Sequence, residues 1–228
     1  MRDTILFGDC RETLKEFDEK ARMCVTSPPY YGLRDYGGEE SQIGLEQTPE
    51  EFIDELVKVF REVKNVLTDD GTCWVNIGDS YYNYRPGRGQ GLAKQTVSNT
   101  KQDLPDVCPR RGNRIRGLKE KDLIGIPWMF AFAMRADGWY LRQDIIWNKP
   151  NPMPESVRDR CTKSHEYIFL FSKNQNYYFD VDSIKEPTRR KRSVWNVTKK
   201  PYKGAHFAVY PPELIEPCIK AGSEKGDI

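Results

Sequence analysis

Short apolar runs that stop at tight polar turns, with helix-period segments between them, constrain this chain more than any other feature. TILF (4–7) runs into Gly8-Asp9, ARMCV (21–25) into Thr26-Ser27-Pro28-Pro29, and TCWVNI (72–77) into Gly78-Asp79-Ser80. Between the first two, residues 10–20 can form a helix with Leu14 and Phe17 inward. Before the third, Thr48-Pro49-Glu50-Glu51 combines a capping residue, a proline at the first helical position and a glutamate three residues after the cap. The helix it opens puts Phe52, Leu56, Val59, Phe60, Val63 and Leu67 on one face, and Asp70-Gly71 stops it. Residues 122–136 read as a buried helix that is regular from Pro127 onward, 140–147, 166–171 and 177–179 as strands, and 212–221 as a last short helix. Strands alternating with helices imply an α/β fold: one domain over 1–228 with a mostly parallel sheet covered by helices on both faces. Such sheets bind ligands at the carboxyl ends of their strands. Asp9, Ser27 and Asp79 are expected at such ends.

The 228 residues, 38% of them hydrophobic, suffice for a core. No apolar run reaches the roughly 18 residues that span a bilayer, and the N-terminus has no signal-peptide pattern, so a cytoplasmic protein with no membrane partner is expected. Six cysteines lie far apart with no CxxC pair, and the only histidines are His165 and His206, so reduced thiols and no metal site are expected. The formal charge of +2 is unevenly placed. Segments 84–121 and 185–203 each carry a net +7, which leaves the remainder near −12. The first is rich in Gly, Gln, Asn and Pro and reads as a long loop insertion. Both set arginines beside Tyr84, Trp195 and Tyr202, a mixture suited to phosphate contacts and base stacking on nucleic acid.

Ser27-Pro28-Pro29-Tyr30 is the segment with the most chemistry. Two prolines hold φ near −65° and push the preceding residues toward extended backbone, which presets the carbonyls of Ser27 and Pro28. The result is a hydroxyl, two directed acceptors and a ring. That set can hold an exocyclic NH2 in plane while the tyrosine stacks on the ring that bears it; a turn with a core tyrosine is the plain alternative.

TSPPY (26–30) resembles the catalytic motif of the DNA methyltransferases that make N6-methyladenine or N4-methylcytosine. FGDC (7–10), TCWVNIGDSY (72–81) and the stretch 138–174 are similar to other core segments of that family, and 206–222 to its motif preceding the cofactor strand. The resemblance covers nearly the whole chain. It implies a Rossmann-like methyltransferase sheet, S-adenosylmethionine as cofactor, double-stranded DNA as partner, and a restriction-modification enzyme of prokaryotic or phage type that flips its target base. Ser27, Pro28, Pro29 and Tyr30 would be catalytic, the first two accepting hydrogen bonds from the target amine and Tyr30 stacking on the base. Asp9 and Cys10, with His206, Phe207 and Pro211, would lie along the cofactor. Arg110, Arg111, Arg114 and Arg116, and Arg189, Arg190, Lys191 and Arg192, are candidate DNA contacts. Serine at position 27, where other members have aspartate, favours cytosine N4 over adenine N6. Cys218 follows a proline, as the nucleophile of the cytosine-C5 enzymes does, but reads as a buried helix residue. The family's Gly-rich cofactor loop does not occur in the sequence, so a sheet incomplete at the C-terminus is expected. A second polypeptide would then complete the cofactor site, or the chain is a truncated or inactive relative that binds DNA without methylating it.

Overall fold

The computed structural model describes residues 4–35, 42–82, 95–96, 115–202 and 209–228. They fall into two compact units. The first comprises Met1–Thr26, Glu62–Asn76 and Gly138–Ile228, and the second Ser27–Arg61 and Ile77–Asp137.

The first unit is built on a five-stranded sheet. Its strands are β1 (Ala21–Thr26), β3 (Leu67–Ile77), β5 (Tyr140–Asn148), β6 (His165–Ser172) and β7 (Val194–Asn196), in the order β1-β3-β6-β5-β7. β1 runs parallel to β3, with Met23 opposite Thr72 and Thr26 opposite Val75, and β5 runs parallel to β7. β6 is the exception to the expected parallel order. It runs antiparallel to β5 from Tyr140↔Ser172 to Asn148↔His165. It also opposes β3: Lys173 N, just past the end of β6, donates to Gly71 O near the start of β3, and Asn76 near the end of β3 donates to the Tyr167 carbonyl.

One face of the sheet presents Trp74, Ile145, Trp147, Ile168, Leu170 and Trp195, packed with Leu214, Cys218 and Ala221 of the C-terminal helix (Pro212–Gly222). Gly222 permits that packing. A Cβ there would stand 3.0 Å from Thr72 Oγ1 and from Trp74 Nε1, which are themselves hydrogen bonded.

Helix α1 (Cys10–Thr13) precedes β1, and α2 (Pro49–Val66) leads into β3. The proposed capping box closes α2 as written: Glu51 N donates to Thr48 Oγ1 at 3.2 Å and Thr48 N donates to the Glu51 carboxylate at 3.1 Å. In the second unit α3 (Ile126–Ala136) follows Gly125, whose φ of 87° suits glycine, and Phe130 of α3 packs on Phe60 with ring centroids 5.2 Å apart. A two-residue parallel pair, β2 (Arg34–Asp35) with β4 (Gln95–Thr96), lies in the same unit. The last helix of the chain, Pro212–Gly222, is α4.

Four expected elements differ. Residues 4–7 form no strand: no described strand pairs with them, and Ile5 and Phe7 are 78% and 89% exposed. Asp9 therefore follows no strand. The helix expected over 10–20 is one α-turn, because Leu14 and Phe17 are only half-buried and tertiary burial is what sustains most helices. Residues 177–179 make one backbone bond, Tyr178 N to Asp70 O, rather than a ladder. Asp70-Gly71 does not separate helix from strand, since β3 already begins at Leu67.

Trp74 is 1% exposed and stacks on Phe179 at 6.1 Å. Trp74→Ala is expected to destabilise the chain by about 3–5 kcal/mol, seen as a lower urea midpoint at unchanged slope.

Candidate active site

The second unit begins where β1 ends, with Ser27-Pro28-Pro29-Tyr30, and the two tyrosines of this stretch have different fates. Tyr31 is 5% exposed, lies 5.3 Å from the Phe52 ring and donates its hydroxyl to the Gln47 carbonyl. It is the core tyrosine. Tyr30 is half-buried, and Ser27 Oγ donates a long 3.5 Å hydrogen bond to its hydroxyl. Whichever hydroxyl donates across that contact, the Ser27 oxygen keeps a lone pair with which to accept.

The loop is held by close backbone approaches. Leu33 N donates to Tyr30 O and Gly32 N to Gly44 O. Gly44 sits at φ 104°, and a Cβ there would meet Pro29 Cβ and Tyr30 O at 3.3 Å. Asp79, after β3, accepts at Oδ1 from Ser80 N, Gly125 N and Ile126 N at 2.9–3.1 Å, so it joins the strand-end turn to the first turn of α3.

A family model described as a DNA methylase, of the N6/N4 type, matches residues 21–228. The chain belongs to the N6/N4 DNA methylase family. Members depend on S-adenosylmethionine. Type II methyltransferase M.XycI of Xanthomonas campestris pv. cyanopsidis is 51% identical over 240 residues, covering 100% of this methylase and 75% of that protein. M.SmaI of Serratia marcescens is 50% identical over 235 residues, covering 97% and 76%. The methylase fold also matches the PvuII DNA methyltransferase (cytosine-N4-specific) at a TM-score of 0.66 and 18% identity, over 96% of this chain and 70% of that one. A putative DNA modification methylase of Thermus thermophilus, solved with S-adenosyl-L-methionine, matches at 0.57 and 23% identity, over 96% and 74%.

The remaining expected site residues of the methylase are unevenly placed. Asp9 caps α1 through Arg11 N and engages the Arg11 guanidinium with both oxygens, at 3.0 Å to Nε and 2.5 Å to Nη2. Those hydrogen bonds hold its carboxyl below the usual range against the opposing effect of burial. The Cys10 thiol is pushed up by burial and by Asp9. Pro211 is the N-cap of α4. His206 and Phe207 lie outside the described residues, as do Arg110, Arg111 and Arg114. Arg116 is exposed. Arg189 pairs with Glu186, Lys191 sits 5.0 Å over the Trp195 ring, and Arg190 and Arg192 are exposed. Arg11 supplies three N–H donors to the Asp9 carboxylate, and His206 and Phe207, expected at the other end of the cofactor, lie outside the described residues. Cys218 is buried in α4 with its thiol pushed up to about 12 by desolvation, so it is not a ready nucleophile.

Three features were not anticipated from sequence: the Arg11–Asp9 pair, the three amides capped by Asp79, and a cluster in the first unit where Glu166 receives Lys149 and Asn76. An aspartate two residues from an arginine was the available signal for the first. The others depend on contacts such as Asp79 with Gly125, 46 residues apart, and Asn76 with Glu166, 90 apart, and left none.

Asp9 is held below its unfolded value, so its pairing stabilises the fold at neutral pH and is lost as pH falls through the lowered value. Asp9→Asn is expected to lower the urea midpoint slightly at pH 7, with the gap closing below about pH 4, since the pair is one-quarter to one-third exposed. Equal midpoints at pH 7 would show that the pair contributes nothing.

Proposed function

We propose that this chain is a site-specific methyltransferase acting on the exocyclic amine of a base flipped out of duplex DNA, with cytosine N4 as the target and S-adenosylmethionine as the methyl donor. The observation that carries the reading is the Ser27–Tyr30 pair. The Ser27 hydroxyl lies 3.5 Å from that of Tyr30 and offers an acceptor lone pair, and the Pro28 carbonyl adds a second acceptor in a preset direction. Two acceptors can take both N–H groups of the amine and draw them out of the base plane, pyramidalising the nitrogen so that its lone pair leaves conjugation and faces an electrophile. Tyr30 provides the ring on which the extruded base stacks. No covalent nucleophile is required, and the buried, protonated Cys218 agrees with that. Catalysis then rests on orientation and on hydrogen bonds that strengthen as the amine gains positive charge.

Serine rather than aspartate at position 27 supports cytosine N4. A neutral hydroxyl can accept from either target amine, so the choice of base is a matter for product analysis. The basic segments 84–121 and 185–203 are read as the grip on the phosphate backbone. The sheet is read as a methyltransferase layer with helices on both faces.

Nucleoside analysis by mass spectrometry of DNA treated with the protein and S-adenosylmethionine is expected to show N4-methylcytosine. N6-methyladenine instead would reassign the base, and no methylated nucleoside from folded protein would sink the self-sufficient enzyme. Ser27→Ala is expected to lower kcat roughly ten- to a hundred-fold with little change in DNA affinity.

Arg189, Arg190, Lys191 and Arg192 changed together to Ala should flatten the salt dependence of duplex binding. The slope of log K against log salt drops by about 0.9 for each phosphate that is no longer neutralised. An unchanged slope would return the run to an ordinary solvated face.

A further inference from the structure

We infer that Gly78 is a positioning residue for the target base, because its bare backbone is the wall against which the stacking ring of Tyr30 is set. The inference rests on the reading of Tyr30 as the ring that receives the flipped base. A Cβ built on Gly78 would lie 2.6 Å from Cε2, 3.1 Å from Cδ2 and 3.3 Å from Cζ of Tyr30. Those three atoms form one edge of the ring, so the edge occupies the space a side chain at 78 would need. Backbone conformation does not explain the glycine, for Gly78 is not among the residues with positive φ. The close approach of the ring does.

The wall is fixed. Asp79, the next residue, gathers three backbone amides on one oxygen and ties the turn to α3, and Ile124 N donates to Ser80 O at 3.0 Å. At its other end Tyr30 is held through its carbonyl by Leu33 N, with Gly44 closing on Pro29 and on that same carbonyl. A ring located by backbone at its edge and by Ser27 at its hydroxyl has few orientations left. Stacking on it then needs no search over the rotamers of a free tyrosine, which is pre-organisation of the base-binding plane. A methyl at position 78 forces out the ring rather than the backbone, because the ring swings on two side-chain torsions while the wall is tied at several points.

The test uses the full chain and a duplex carrying a fluorescent base at the methylated position, pyrrolocytosine for a cytosine target or 2-aminopurine for an adenine. Gly78→Ala is expected to lower the flipping equilibrium constant, read from the emission rise, roughly ten- to a hundred-fold, with duplex affinity falling by no more than that factor. In a Tyr30→Ala background, Gly78→Ala is expected to change nothing further. An undiminished emission rise in Gly78→Ala overturns the proposal, and so does an equal loss with and without Tyr30. If Tyr30→Ala alone leaves flipping intact, the stacking reading itself has failed, an outcome distinct from failure at Gly78 alone. Melting temperatures supply a second readout. Any destabilisation by Gly78→Ala must disappear in the Tyr30→Ala background, and a double variant that melts well below Tyr30→Ala alone would overturn the assignment.

Discussion

Parallel pairing of β1 with β3 is the constraint from which the rest follows. With Met23 opposite Thr72 and Thr26 opposite Val75, the two strands finish at one sheet edge. The chain leaves the first as Ser27-Pro28-Pro29-Tyr30 and the second as Gly78-Asp79. Two turns distant in sequence lie side by side in the second unit, where the ring of one lies on the backbone of the other. A one-residue slip of the register would exchange the faces of β1 and spoil the packing of Met23 and Val25 against the Trp74 cluster.

Much of this is legible in the chain's local pattern. The Thr48-Pro49-Glu50-Glu51 signal places α2, because its hydrogen bonds are local and repeat in every helix that uses them. Five apolar segments that the sequence marks as strands or helices, 21–25, 72–77, 140–147, 166–171 and 212–221, are present with ends shifted by a few residues. Local pattern failed where the deciding partner is remote. TILF has strand composition, yet no described strand lies beside it to accept its hydrogen bonds. VWN (194–196) hides behind a basic run and becomes β7 only because Ile146, Trp147 and Asn148 pair with it. The reversal of β6 is likewise invisible in composition.

At the site, residue types were legible and relations were not. The Pro-Pro pair and its flanking hydroxyl and ring announce a stiff, polar, aromatic loop. Which tyrosine belongs to the core could not be read from two adjacent identical residues; it is Tyr31, because Phe52 and the Gln47 carbonyl are there to receive it. Gly78 looked like part of an ordinary strand-end turn. Only the position of Tyr30, 48 residues earlier, gives its missing side chain a meaning. Asp9 shows another case, a residue whose type suggested a ligand and whose carboxylate is also bound by a near neighbour, Arg11.

The reversed β6 has a further consequence. An antiparallel strand brings its beginning, not its end, to the carboxyl edge of its parallel neighbours, so β5 and β6 join there through the long hairpin loop 149–164. Both ends of that loop are pinned, by Lys149 to Glu166 and by Lys149 N to the Ser164 carbonyl. Insertions between fixed ends cost only loop-closure entropy, about 0.6 kcal/mol for each doubling of length. This hairpin is thus a place where descendants of the chain can exchange one surface for another while the sheet beneath them stays the same.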